Sequence, residues 1–253
     1  MPIITLTTDF GLKDHYVSSV KGAILSQLPE ATIVDISNVI EEYHLPDTAF
    51  ILKNAFVNFP KGSIHIIGVK ANQTKETPHL IVYAQGHYFI GADNGIFSLL
   101  FETDIDKIIA LPEINSVFPT RDIFAKVACE IAKGKAIEEL GAKKESVTQM
   151  LAFNAAPMGD SIRGKVNYVD VYGNSITNIT KSLFNQTAKG RGFMIELKNH
   201  NITKISNSYN DVPHGEMLAL FNTSDYLEIA LNQGRADNLL SLKVNATVII
   251  QFV

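Results

Sequence analysis

The chain has 253 residues, of which 46% are hydrophobic and 19% charged, and its formal net charge is −4. That length supports one large or two modest domains with real cores, the composition excludes a disordered chain, and the lack of any basic block argues against a nucleic-acid partner. The single cysteine, Cys129, excludes a disulfide framework and reads as a small buried hydrophobe in an apolar helical pattern.

The opening Met-Pro-Ile-Ile-Thr-Leu-Thr-Thr-Asp shows no basic stretch leading into an apolar one, and no apolar run reaches the roughly 20 residues that span a bilayer. The expectation is a cytoplasmic protein without a membrane partner. Ile3 to Thr7 reads as a strand, broken by Asp9-Phe-Gly-Leu. Asp14 is placed to cap a helix with Val17, Val20, Ile24 and Leu28 on one face. Thr32 to Ile36 is the next strand, Pro46 suits a first helical turn ahead of Ala49, Leu52 and Phe56, and Ser63 to Val69 is a further strand. Leu80–Tyr83 and Tyr88–Ile90 flank Gln85-Gly86 as a hairpin. Ala92-Asp-Asn-Gly95 turns into a short helix over Ile96 to Phe101, and Arg121 to Ala132 is a second amphipathic helix. Strands alternating with helices predict an α/β N-terminal domain over 1–145 with a largely parallel central sheet.

Residues 146–160 read as a polar linker. From 161 to 253 short strands dominate, at Gly164–Val169, Ser175–Ile179, Phe193–Leu197, Ile202–Ile205, Met217–Phe221, Tyr226–Leu231 and Ala246–Val253, with turns at Lys189-Gly190 and Asn199-His200. This spacing predicts a smaller, all-β, barrel-like C-terminal domain.

Two polar clusters interrupt the apolar pattern. Asp9 follows directly on the first strand, where open α/β sheets bind ligands. It can accept two hydrogen bonds from a vicinal diol, or it can close an Asx-turn while Asp14 caps the helix. Asp170-Val-Tyr-Gly-Asn174 sets an aromatic beside an amide, which suits stacking on a heterocycle and reading its edge, or a tight turn with Asn174 left-handed after Gly173.

Four segments in register carry a resemblance: Thr8 to Gly22 (TDFGLKDHYVSSVKG), Gly91 to Leu99 (GADNGIFSL), Arg121 to Ala125 (RDIFA) and Asp170 to Ile179 (DVYGNSITNI). Together they resemble the S-adenosylmethionine hydroxide adenosyltransferase and fluorinase superfamily, over nearly the whole chain. The resemblance implies an α/β domain followed by a β-rich one, a homotrimer with inter-subunit sites, and a small-molecule adenosyl ligand. It also implies displacement of methionine from S-adenosylmethionine at the ribose 5′ carbon, with no metal or other cofactor. By this likeness Asp9 would hold the ribose hydroxyls, and Asp14 and Tyr16 would approach the methionine end. Tyr43 would cover the ligand, Asp170 would meet the methionine amino group, Tyr172 would stack on adenine and Asn174 would read it. Thr223 and Ser224 would grip the methionine carboxylate.

The hydrolase branch activates water with an Asp, an Arg and a His; here the corresponding positions read Lys70, Thr77 and Pro119. Proline offers no polar side-chain group with which to orient water. Thr120 falls where the halogenating branch has a halide-contacting serine; it can hold water or halide, or simply cap the helix near Arg121. At about 4 Å and an effective dielectric of 20, Lys70 would repel a sulfonium by roughly 4 kcal/mol unless it pairs with Glu76, meets a carboxylate or lies in solvent. Thr120 and Lys70 are therefore the catalytic candidates. The leading expectation is hydrolysis to adenosine and methionine. A non-catalytic adenosine or S-adenosylmethionine binder and a halide-dependent transferase are the alternatives.

Overall fold

In the computed structural model, which describes residues 1–101, 103–151, 153–197 and 200–253, the opening apolar run forms β1 (Ile3–Thr8), with parallel neighbours on both sides. The chain divides into two units, Met1–Ala152 and Phe153–Val253. In the first, β1 is followed by α1 (Tyr16–Leu25), β2 (Thr32–Ser37), α2 (Leu45–Phe56), β3 (Ile64–Gly68), β4 (His79–Ala84), β5 (His87–Ala92), α3 (Ile96–Leu100) and β6 (Lys107–Ala110). A π-helical turn, Thr120–Phe124, runs into α4 (Ala125–Ala132), and β7 (Ala142–Lys143) ends the sheet, whose order is β2-β1-β3-β5-β4-β6-β7.

The period-2 alternation of β1 sends Ile4 and Leu6 to a core with Val20, Ile24, Phe124 and Cys129, under α1 and α4. The opposite face buries Leu52, Phe56, Ile67, Phe89 and Phe97 under α2 and α3. The sheet is mixed rather than largely parallel: β2-β1-β3-β5 is parallel and β5-β4-β6-β7 antiparallel. The reason is the hairpin at Gln85-Gly86, where both residues have positive φ (52° and 81°), as a two-residue primed turn requires. Asp14 does not cap α1; the cap position is His15, and no side chain bonds there.

The second unit contains β8 (Ala156–Met158), β9 (Ser161–Val169), β10 (Ser175–Thr180), α5 (Lys181–Ala188), β11 (Phe193–Leu197), β12 (His200–Ile202), β13 (Met217–Phe221), β14 (Tyr226–Leu231), α6 (Ala236–Leu239) and β15 (Thr247–Phe252). Its antiparallel sheet runs β12-β11-β15-β9-β10-β14-β13, with β8 beside β9. A bridge from Ile205 to Ala219 joins the chain after β12 to β13, so the sheet nearly closes. This unit is not all-β. Thr180 Oγ1 accepts from Leu183 N at 3.1 Å, and this cap starts α5, which buries Phe184 and Ala188. The stretch read as a linker contains β8, and Ile202–Ile205 yields only the end of β12. Lys189 and Gly190 both turn with positive φ, whereas Asn199 of the other expected turn lies outside the described residues. Among the described residues, no helix is long and apolar enough to cross a membrane.

Candidate functional site

Asp9 sits just past the carboxyl end of β1, on a loop fixed from several directions. Thr8 Oγ1 donates to Asn38 Oδ1 at 2.8 Å, Gly11 N donates to Asn38 O at 2.7 Å, and Tyr43 N donates to Asp9 Oδ2 at 3.0 Å. Gly11 meets this geometry with φ of 69°. Burial raises the Asp9 carboxyl above its usual range, against the opposing Tyr43 backbone bond. Tyr43, left-handed at φ 61°, brings its backbone N–H to that carboxylate and is itself exposed.

The ring of Phe10 packs on Tyr16 and Phe118, at centroid distances of 5.9 and 5.5 Å, and Tyr16 and Phe118 lie 5.5 Å apart. This cluster draws the segment before α4 onto the β1 loop. Asp122 shapes that segment by accepting from Ser116 Oγ and Arg121 Nε, both at 2.7 Å; the Arg121 bond, then that of Ser116, holds the Asp122 carboxyl low. Thr120 consequently lies against the strand ends: a Cβ built on Gly68 would stand 3.0 Å from both Thr120 Cγ2 and Thr8 Cγ2. Thr120 is 1% exposed and its Oγ1 has no hydrogen-bond partner, so it does not cap the helix; the cap position is Pro119.

Lys70, two residues beyond Gly68, has φ of 48°, and Asn94 Nδ2 donates to its carbonyl at 3.0 Å. Its side chain is exposed, and Glu76 accepts from Thr74 Oγ1 at 3.0 Å instead of pairing with Lys70. Thr77 stands in the same self-bonded turn, with its Oγ1 2.8 Å from that of Thr74. Asp14 is exposed beyond this arrangement.

In the second unit, Asp170 organises its own loop. Its Oδ1 accepts from Tyr172 N at 3.0 Å and Asn174 N at 2.8 Å, and its Oδ2 accepts from Asn174 Nδ2 at 2.9 Å. The Asn174 amide is thereby oriented and buried, while the Tyr172 ring stays exposed. Gly173, not Asn174, takes the left-handed conformation, at φ 83°. A Cβ there would stand 2.5 Å from Asp237 Oδ1.

This loop borders a cleft of about 760 Å³ that also contains Tyr209, Asn232 and Arg235, three residues the sequence reading passed over. Arg235 donates to Val171 O and Asp237 Oδ2, each at 3.1 Å. Tyr209 rides on a 3₁₀ turn that Ser208 caps, a Ser-led signature that was available in the sequence. Its hydroxyl donates to Glu228 Oε1 at 2.6 Å, and burial, then that bond, raises it above the usual phenol range. Burial likewise pushes the Glu228 carboxyl up. Thr223 and Ser224 lie in the turn from Asn222 to Tyr226, where Asn222 Oδ1 accepts from Ser224 N at 3.0 Å and Tyr226 N at 3.2 Å.

Among the described residues, Glu41, His44 and Asp47 form one group with metal-ligand chemistry, their donor atoms within 4.8 Å of one another. His44 and Asp47 stand 3.0 Å apart at the start of α2, where the helix dipole opposes a cation.

The chain is similar to known proteins over most of its length. A family model described as the SAM hydroxide adenosyltransferase N-terminal domain matches residues 4–141, and its C-terminal counterpart matches 164–249. A Methanocaldococcus jannaschii protein named (R)-S-adenosyl-L-methionine hydrolase is 31% identical, the match covering 96% of this chain and 93% of that one. A Thermus thermophilus protein of the same name is 27% identical over 93% and 94% of the two chains. The crystal structure of an uncharacterized conserved protein from Thermotoga maritima superposes with a TM-score of 0.90 at 26% identity, covering 98% of this chain and 99% of that one.

Proposed function

This chain belongs to the SAM hydroxide adenosyltransferase family, and we propose that it catalyses substitution at the ribose 5′ carbon of S-adenosylmethionine with water as the nucleophile. The C5′–O bond forms as the C5′–S bond breaks; the electron pair stays on sulfur, giving L-methionine. A proton of the attacking water passes to solvent, giving adenosine.

The observation that carries this reading is the pairing of functions at the ends of β1 and β3. Asp9 offers carboxylate oxygens to a sugar diol, and the buried Thr120 hydroxyl beside Thr8 lacks a partner. The leaving group is a neutral thioether, so the step calls for a positioned, desolvated water more than for a strong base. Thr120 is assigned that positioning, which does not require the Asp, Arg and His that Lys70, Thr77 and Pro119 replace. The exposed Lys70 ammonium is screened by solvent, which removes most of its repulsion toward a sulfonium.

Tyr172 and Asn174 supply the purine end of the proposed site, Tyr43 covers the ligand, Asp14 and Tyr16 approach the methionine end, Asp170 meets the methionine amino group, and Thr223 and Ser224 hold its carboxylate. The active form is proposed to be a cytoplasmic homotrimer whose sites join half-sites from different copies, without a further cofactor. Support comes from the apolar side chains left exposed beside each half-site: Leu12, Val39 and Tyr43 in the first unit, Val171 and Tyr172 in the second.

Incubation with S-adenosylmethionine and chromatography should show adenosine and methionine in equal amounts above the spontaneous rate, abolished by Asp9→Ala. The three replaced triad positions favour one second reading, an adenosyl-binding protein without turnover. Tight adenosine binding with no product in the same assay would establish it. A product whose mass follows added halide would instead mark a halide-dependent transferase.

A further inference from the structure

We infer that Glu228 is a positioning residue that holds two parts of the second unit's site at once: the ring of Tyr209 in the cleft and the Asn222–Tyr226 turn that carries Thr223 and Ser224. This rests on the adenosyl reading of that cleft.

Glu228 lies in the middle of β14, opposite Leu220 of β13 and Ile176 of β10, and is 3% exposed. An apolar residue would suit such a position, since a buried carboxylate pays a desolvation cost that an apolar side chain avoids. Its two oxygens are nevertheless both used, and they point to different elements. Oε1 accepts from Tyr209 Oη at 2.6 Å, across nineteen residues of sequence, and Oε2 accepts from Asn222 Nδ2 at 3.3 Å.

Asn222 then passes the constraint on, because its Oδ1 accepts from the backbone N–H groups of Ser224 and Tyr226. One carboxylate therefore fixes the distance between an aromatic wall for the purine and a hydroxyl-bearing turn for the other end of the ligand. Burial is the main cause that raises the Glu228 carboxyl, and the negative charge of Asp170 adds to it.

Glu228→Leu should leave the Tyr209 hydroxyl and the Asn222 amide unpaired. Expected are faster hydrogen exchange at the Ser224 and Tyr226 amides, and adenosine Kd and S-adenosylmethionine KM each raised about tenfold, with kcat within about threefold of native. Glu228→Gln should restore both constants, because a carboxamide offers an acceptor to Asn222 and a donor to a rotated Tyr209 hydroxyl. If Glu228→Leu does not fold, Tyr209→Phe and Asn222→Ala cut one arm each: the first should weaken adenosine binding alone, the second should free the two amides.

Native exchange and native constants in Glu228→Leu, or a fall in kcat with Kd and KM unmoved, would overturn the inference. Absence of adenosine binding by the native chain would remove the adenosyl reading instead; the exchange arm, which needs no ligand, still decides whether Glu228 holds the turn.

Discussion

The two proposed half-sites leave different polar groups unpaired: among the described residues, hydroxyls in the first and the Asp237 Oδ1 carboxylate oxygen in the second. In the second unit Asp170, Asn174, Tyr209, Asn222 and Glu228 bond to one another or to their own loops. In the first, two buried hydroxyls, Thr7 Oγ1 and Thr120 Oγ1, have no partner. A buried polar group without a hydrogen bond costs about 1–3 kcal/mol, and a reactant that supplies the bond recovers it. A closed network fixes a shape without that cost. On the proposed function this difference divides the labour: the second unit would be preformed to recognise, and the first would keep a donor in reserve for a small polar reactant.

Substitutions can break or sharpen this contrast. The largest effect should come from Asp9→Ala, which removes a carboxylate able to accept two charge-assisted bonds; adenosine affinity by calorimetry should fall about 100-fold or more. Thr120→Val keeps shape and removes only the hydroxyl, so kcat should drop roughly 10- to 100-fold while adenosine Kd stays native. A parallel loss of binding would mean that Thr120 belongs to recognition and would collapse the division. Gly173→Ala forces a Cβ to 2.5 Å from Asp237 Oδ1 at φ 83°. It should lower adenosine affinity about tenfold and unfold at lower temperature by calorimetric scanning, since the preformed loop tolerates no shift. Tyr172→Ala should cost about five- to tenfold in the same titration, the size of one lost stacking contact.

Acid should separate the units as well, by a smaller amount. The first unit buries His65, His79 and His87, all lowered chiefly by burial, His65 to about 3. A histidine kept neutral when folded is protonated first in the unfolded chain, so its stability is full above the ordinary pKa near 6.5 and declines below it. Glu228 works the other way: a carboxyl raised on folding favours the folded state below its folded pKa and loses that gain as pH rises. Asp9 and Asp47, also raised, offset part of the histidine effect. Between pH 7 and pH 5 the first unit should lose stability relative to the second, read by hydrogen exchange in each.

Much of this was legible along the chain, because it depends on local pattern. The face Val17, Val20, Ile24, the Gln85-Gly86 hairpin and the strand-end position of Asp9 follow from period and turn chemistry. What was not legible depends on pairing across distance. Nothing near β6 or β7 announces that they join antiparallel, and the helix after Thr180 was hidden because β10 and its cap form one polar–apolar run, Ser175 to Leu183. Tyr209 and Glu228 look like an exposed aromatic and a strand acid until the fold brings them to 2.6 Å. The same holds for Thr120, whose proposed role depends on its place against Gly68 rather than on its neighbours in sequence.

A timed incubation of the chain with S-adenosylmethionine, run beside Thr120→Val and followed by chromatography, bears most directly on the central claim. Expected are equimolar adenosine and methionine from the native chain and a strongly slowed release from the variant at unchanged adenosine affinity. Binding of adenosine by the native chain with no product above the uncatalysed rate would contradict that claim.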